Sequence, residues 1–116
     1  MDISIPHGDK RTFAIAITSG GTPLPLTGGK TLRFQAKRTH DQVTALIAKA
    51  TGSGITHDPD QGANPGKATL ALDPTDTSAL PNRRTILVFD IEVDDGADPF
   101  TAISGTLEIR PEVARP

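Results

Sequence analysis

The sequence predicts an all-β domain, a sandwich or barrel of about seven to eight short strands, and three observations carry that reading. First, glycine and proline make up about 18% of the chain against a usual ~12%. They gather at Gly20-Gly21-Thr22-Pro23-Leu24-Pro25, Gly28-Gly29, Gly52-Ser53-Gly54, Pro59 to Gly66, Pro81-Asn82 and Gly96 to Pro99. Second, the runs between these clusters alternate apolar and polar residues, the period of a half-buried strand. Third, the chain holds 15 threonines, and β-branched side chains suit a pleated, partly exposed surface.

The elements follow in order. Residues 1–9 offer only Ile3 and Ile5 for burial before Pro6, and form either an edge strand or an arm that pairs with another subunit. Phe13, Ile15 and Ile17 then share one strand face, with Thr12 and the alanines between them on the other. Leu32, Phe34 and Ala36 alternate with Thr31, Arg33, Gln35 and Lys37, giving a strand with a cationic outer face. Residues 41–50 are ambiguous: Val43, Leu46, Ile47 and Ala50 sit at helical spacing, while a strand over 44–49 would turn Leu46 and Ala48 inward. The strand is preferred, because ten residues is short for a helix and Arg38 to Gln42 reads as a hairpin connection.

Ala68, Leu70 and Leu72 form the next alternating run. Asp73 can cap a helix and Pro74 fits a first helical position, so one helical turn near residues 74–80 is expected before Pro81, with Leu80 plugging the bottom of the sandwich. Leu87, Phe89, Ile91 and Val93 alternate with Val88, Asp90 and Glu92, and Ile103, Leu107 and Ile109 with their polar neighbours. Gly105 falls on the inner face of that last strand, where a glycine marks a bulge or the close approach of another backbone. Residues 10–110 therefore form one domain, and 111–116 a short tail.

Composition narrows function by exclusion. The chain has 116 residues, no cysteine, and 12 Lys+Arg against 14 Asp+Glu. Disulfides, thiolate metal sites and thiol nucleophiles are absent. Without a basic excess, and with only 3% aromatic residues, nucleic acid is not an expected partner. Apolar stretches of a few residues give no spanning helix, so no membrane partner is expected either.

The local motifs reduce to turns. Gly28-Gly29-Lys30-Thr31 imitates the end of a phosphate-binding loop, but Leu24 stands where the pattern needs glycine, and a strand follows instead of a helix. His7, His40 and His57 fall in loops or termini without metal-ligand spacing. Asp94-Asp95-Gly96-Ala97-Asp98 reads as a hairpin tip. Ser104 lacks a nucleophile elbow. Asp90 and Glu92 project from one strand face, where their usual role is solubility or pairing with Lys or Arg on the adjacent strand. No catalytic constellation, cofactor site or metal site is expected.

The order of features from Leu26 onward resembles a known family. Leu26-Thr27-Gly28-Gly29-Lys30-Thr31-Leu32-Arg33-Phe34-Gln35, Ala45-Leu46-Ile47-Ala48-Lys49, Leu72-Asp73-Pro74-Thr75-Asp76-Thr77 with Leu80-Pro81, Phe89-Asp90-Ile91-Glu92-Val93 and Gly105-Thr106-Leu107-Glu108-Ile109 carry the likeness. Together they resemble the immunoglobulin-like N-terminal domain of tailed-phage baseplate upper proteins and related short phage tail or virion structural proteins. The resemblance spans roughly residues 11–113, with Thr85 to Val88 standing where the family often has tyrosines.

It implies an immunoglobulin-like antiparallel β-sandwich and a non-enzymatic structural role in the virion. Many symmetric copies would dock on other virion proteins of the tail, baseplate or neck. Expected contacts are Ile3 and Ile5, adding a strand to a neighbour, with Arg33, Lys37 and Arg84 as a polar rim. Capsid decoration is one alternative. Host-surface or carbohydrate adhesion is another, disfavoured because the chain has no Trp or Tyr on which a sugar could stack.

Overall fold

The computed structural model describes residues 1–96 and 99–111. The all-β class expected from the sequence is what forms. The strands are β1 (Asp2–Pro6), β2 (Arg11–Ala16), β3 (Thr18–Ser19), β4 (Thr22–Pro23), β5 (Thr31–Lys37), β6 (Ile47–Thr51), β7 (Gly54–His57), β8 (Lys67–Leu72), β9 (Thr85–Asp94) and β10 (Phe100–Arg110). One short helix, α1 (Pro74–Ser78), lies between β8 and β9. The tip expected at Asp94 to Asp98 and the tail expected at 111–116 lie partly outside the described residues.

Eight strands join one sheet in the order β1-β10-β9-β5-β6-β7-β8-β2, and β3 pairs with β4 in a separate hairpin. The sheet folds over between β6 and β7. Gly52 and Gly54 take φ of +83° and +99° there, values that side chains rarely adopt. The chain corkscrews through Gly52-Ser53-Gly54, so that Ala50 and Thr51 lie parallel to Gly54 and Ile55. Two layers result, β1-β10-β9-β5-β6 and β7-β8-β2. Phe34, Phe89, Ile91 and Leu107 from the first and Ile15, Ile55, Leu70 and Leu72 from the second belong to one continuous core. The thinnest dimension, 23 Å, suits two sheets ~10 Å apart with side chains on both outer faces. Phe34 and Phe89 meet at its centre with ring centroids 5.2 Å apart and planes tilted by 38°.

Three local expectations change. The sheet is mixed rather than wholly antiparallel. β1 runs parallel to β10, pairing Asp2 with Thr106 through to Pro6 with Arg110, because it enters beside the last strand instead of through a hairpin. The strand expected over 44–49 forms only from Ile47, with β6 running to Thr51, and its phase is the opposite of the expected one. Ile47 is buried and Ala48 exposed, since β6 registers Ile47 against Ala36 and Lys49 against Phe34. A lysine on the inner side is tolerable there because it lies at the rim. Its stem crosses Gly54 and its ammonium reaches Asp76 of α1 at 2.9 Å.

At the base of the sandwich, Thr77 is the fully buried plug, and Leu80 packs half-buried against the core. Asp73 and Pro74 start α1 as expected, and the Asp73 N–H donates to the Asp76 carboxylate at 2.6 Å. Gly105 meets a close backbone: a β-carbon there would collide with the Met1 carbonyl.

Candidate docking surfaces

β1 and β2 end the sheet order, so their outer edges are where the fold leaves main-chain groups unpaired. On either side of β1 the Met1 nitrogen donates to the Ser104 carbonyl at 3.1 Å, the Thr106 N–H donates to the Met1 carbonyl at 3.1 Å, and the His7 N–H donates to the Arg110 carbonyl at 2.8 Å. Alternate residues of a strand face one neighbour. Met1, Ile3, Ile5 and His7 therefore face β10, while Asp2, Ser4 and Pro6 turn outward. That outer edge is blunted. Pro6 has no N–H to offer, and the Asp2 carboxylate accepts from the Thr106 hydroxyl at 2.7 Å. Ile5 is fully buried and Ile3 packs half-buried against the core. Their side chains are committed to this chain's own interior, and the edge-strand alternative for residues 1–9 is the one observed.

The β2 edge is built differently. The Ile17 N–H donates to the Gly66 carbonyl at 2.8 Å, and the Lys67 carbonyl accepts from Asp58 on the far side of β8. With Ala16 opposite Lys67 and Ile15 opposite Ala68, the two bonds fix the same phase. Arg11, Phe13 and Ile15 bond toward β8, and Thr12, Ala14 and Ala16 point their N–H and C=O groups outward. These three residues are exposed. None carries a charge, and no proline interrupts them.

The polar candidates lie on the outer face of the other layer. Arg33 of β5 pairs with Glu92 of β9 at 2.6 Å, and Arg84 pairs with Glu108 of β10 at 2.8 Å. The cross-strand partnership expected for Glu92 is therefore present. Lys37 lies in a shallow groove with Arg33, Gln35, His40, Asp90 and Glu92. Arg33 and Lys37 share that groove. Arg84 stands apart, beside β10.

Two residues that bind the loops together escape sequence reading. Gln61 is buried in the Pro59–Gly66 connection, and its amide oxygen accepts from Leu26 at 2.9 Å and Gly66 at 3.0 Å. Its amide nitrogen donates to the carbonyls of Asp58 at 2.9 Å and Lys67 at 3.1 Å. Thr77 accepts from the Gly8 N–H at 2.7 Å, docking the β1–β2 corner on α1. His7 shares that corner, its Nε2 lying 2.8 Å from the Leu80 carbonyl oxygen. Polar residues inside turn-rich segments carry no periodicity, so nothing in the sequence separates these from their solvated neighbours.

Two of the remaining motifs have local partners. Lys30 donates to the Thr27 carbonyl at 3.2 Å, closing the Gly28-Gly29 turn into β5. His57 Nε2 is 2.8 Å from the Thr51 hydroxyl, which accepts from the Leu32 N–H. Among the described residues no three of His, Asp and Glu converge as a metal site would require. Comparison with models of known protein families and with curated proteins gives no match to this chain.

Proposed function

We propose that this chain is a non-enzymatic bacteriophage virion structural protein, a rigid immunoglobulin-like module that docks in symmetric copies on the tail, baseplate or neck. The observation that carries the reading is the setting of the Leu72-Asp73-Pro74-Thr75-Asp76-Thr77 segment, one of the stretches that carry the family resemblance. Here it forms the turn between β8 and β9 that closes the sandwich: Asp76 holds Lys49 and Thr77 holds Gly8.

The strand order lends further support. In immunoglobulin-like sandwiches the last two strands lie beside the third, and the same relation recurs here in β10-β9-β5. A sandwich whose outer-face cations Arg33 and Arg84 are paired with Glu92 and Glu108 suits a repeated building block, in which weak single contacts gain strength from symmetry.

The test is mass spectrometry of purified particles separated into head and tail fractions. The chain is expected in the tail fraction at a stoichiometry matching a symmetric ring. Absence from both fractions overturns the reading, and recovery with heads alone moves it to capsid decoration.

A further inference from the structure

We propose that β2 is a self-association edge, through which two copies of this chain pair antiparallel about a two-fold axis at Ala14. The two sheet edges have been treated unequally. β1 ends in a proline and keeps an aspartate on its rim, two of the devices by which proteins protect an edge from pairing. β2 has neither over Thr12–Ala16, and the open main-chain groups of Thr12, Ala14 and Ala16 lie in one row.

That row is complementary to itself. A two-fold axis at Ala14 sets Thr12 against Ala16 of the second copy and Ala14 against its own counterpart, for about six main-chain hydrogen bonds. No like charges meet: Arg11 falls opposite Ile17, and Lys10 opposite Thr18. Phe13, only half-buried at the rim, falls opposite Ile15 of the second copy and gains apolar cover. On the outer face, Ala14 and Ala16 are flanked by Thr69 and Lys67 of β8, so only the long flexible lysine rises beside the seam. Isologous two-fold pairing is also the commonest form of self-assembly.

This association is independent of the virion reading: a monomer in solution would leave the particle result standing, and a chain absent from particles could still dimerise. The test is analytical ultracentrifugation of the full chain up to about millimolar concentration. A concentration-dependent dimer is expected. Ala14→Lys, at an exposed position, should weaken it by ~10-fold or more, because it sets two ammonium groups face to face on the axis. Ala14→Cys introduces the sole thiol of the chain. On mild oxidation it should give a covalent dimer, since paired Cα atoms ~5.5 Å apart lie within disulfide reach. A monomer at every concentration, an unchanged dimer in Ala14→Lys, or no cross-link in Ala14→Cys overturns the proposal.

Discussion

The two edge strands, β1 and β2, are nearly equal in length, yet they are held by opposite means. β1 is anchored by its side chains and their surroundings: Ile5 fills the core, Gly105 makes room for the Met1 carbonyl, and Asp2 ties down to Thr106. β2 sends Ile15 to the core but leaves a smooth, neutral outer row. Its security comes from behind, where Gly66 receives the Ile17 N–H and Gln61 holds Gly66. An edge can thus be kept in place by its own anchors or by the loop that backs it, and only the second arrangement leaves the outside unguarded.

Breaking the loop behind β2 should cost most. Gln61→Leu leaves the N–H groups of Leu26 and Gly66 and the carbonyl of Asp58 without a partner, while the Lys67 carbonyl keeps the Asp58 N–H. At roughly 1–3 kcal/mol for each buried group left unsatisfied, a loss of about 4 kcal/mol is expected in urea unfolding. Ile5→Ala attacks the β1 anchor and should cost about 3 kcal/mol by the same measurement, the usual range for emptying a core position. It should also speed amide exchange at His7, whose N–H bonds to β10. Gly105→Ala should cost about 2 kcal/mol, because the new methyl group displaces the start of β1. Amide exchange at Thr106 should then rise while β2 stays protected; equal loosening of both edges would remove the contrast.

The outer row of β2 should be the least sensitive. Thr12→Lys is expected to change monomer stability by no more than about 0.5 kcal/mol, measured at a concentration below any association. Arg33→Ala should be equally mild, since an exposed ion pair such as Arg33–Glu92 contributes well under 1 kcal/mol. A large effect at Thr12 would mean that β2 is covered within its own chain.

Much of the fold is legible in the sequence because alternation reports directly which side of a strand is buried. Phe34, Phe89, Ile91 and Leu70 are read correctly for that reason, and Gly105 is flagged by lying where a side chain should pack. Residues 41–50 show the limit. Alternation over so short a run admits either phase, and the phase was decided by pairing Ile47 with Ala36 and by Asp76 waiting for Lys49. The surfaces are less legible still. Ile3 and Ile5 admit an edge strand or an arm for another subunit until β10 is seen beside them, and only the strand order shows that Arg33 is the cation opposite Glu92 and Arg84 the one opposite Glu108.

By itself the sequence determined the strand-rich class, the positions of the turns and the helical start at Asp73-Pro74, because each depends on residues within a few positions of one another. The tertiary structure alone decided which edges stay open, where the inward lysine finds its carboxylate, and that Gln61 binds two loops. Those outcomes rest on contacts between segments far apart in the chain, and local propensity carries no record of which distant partner will arrive.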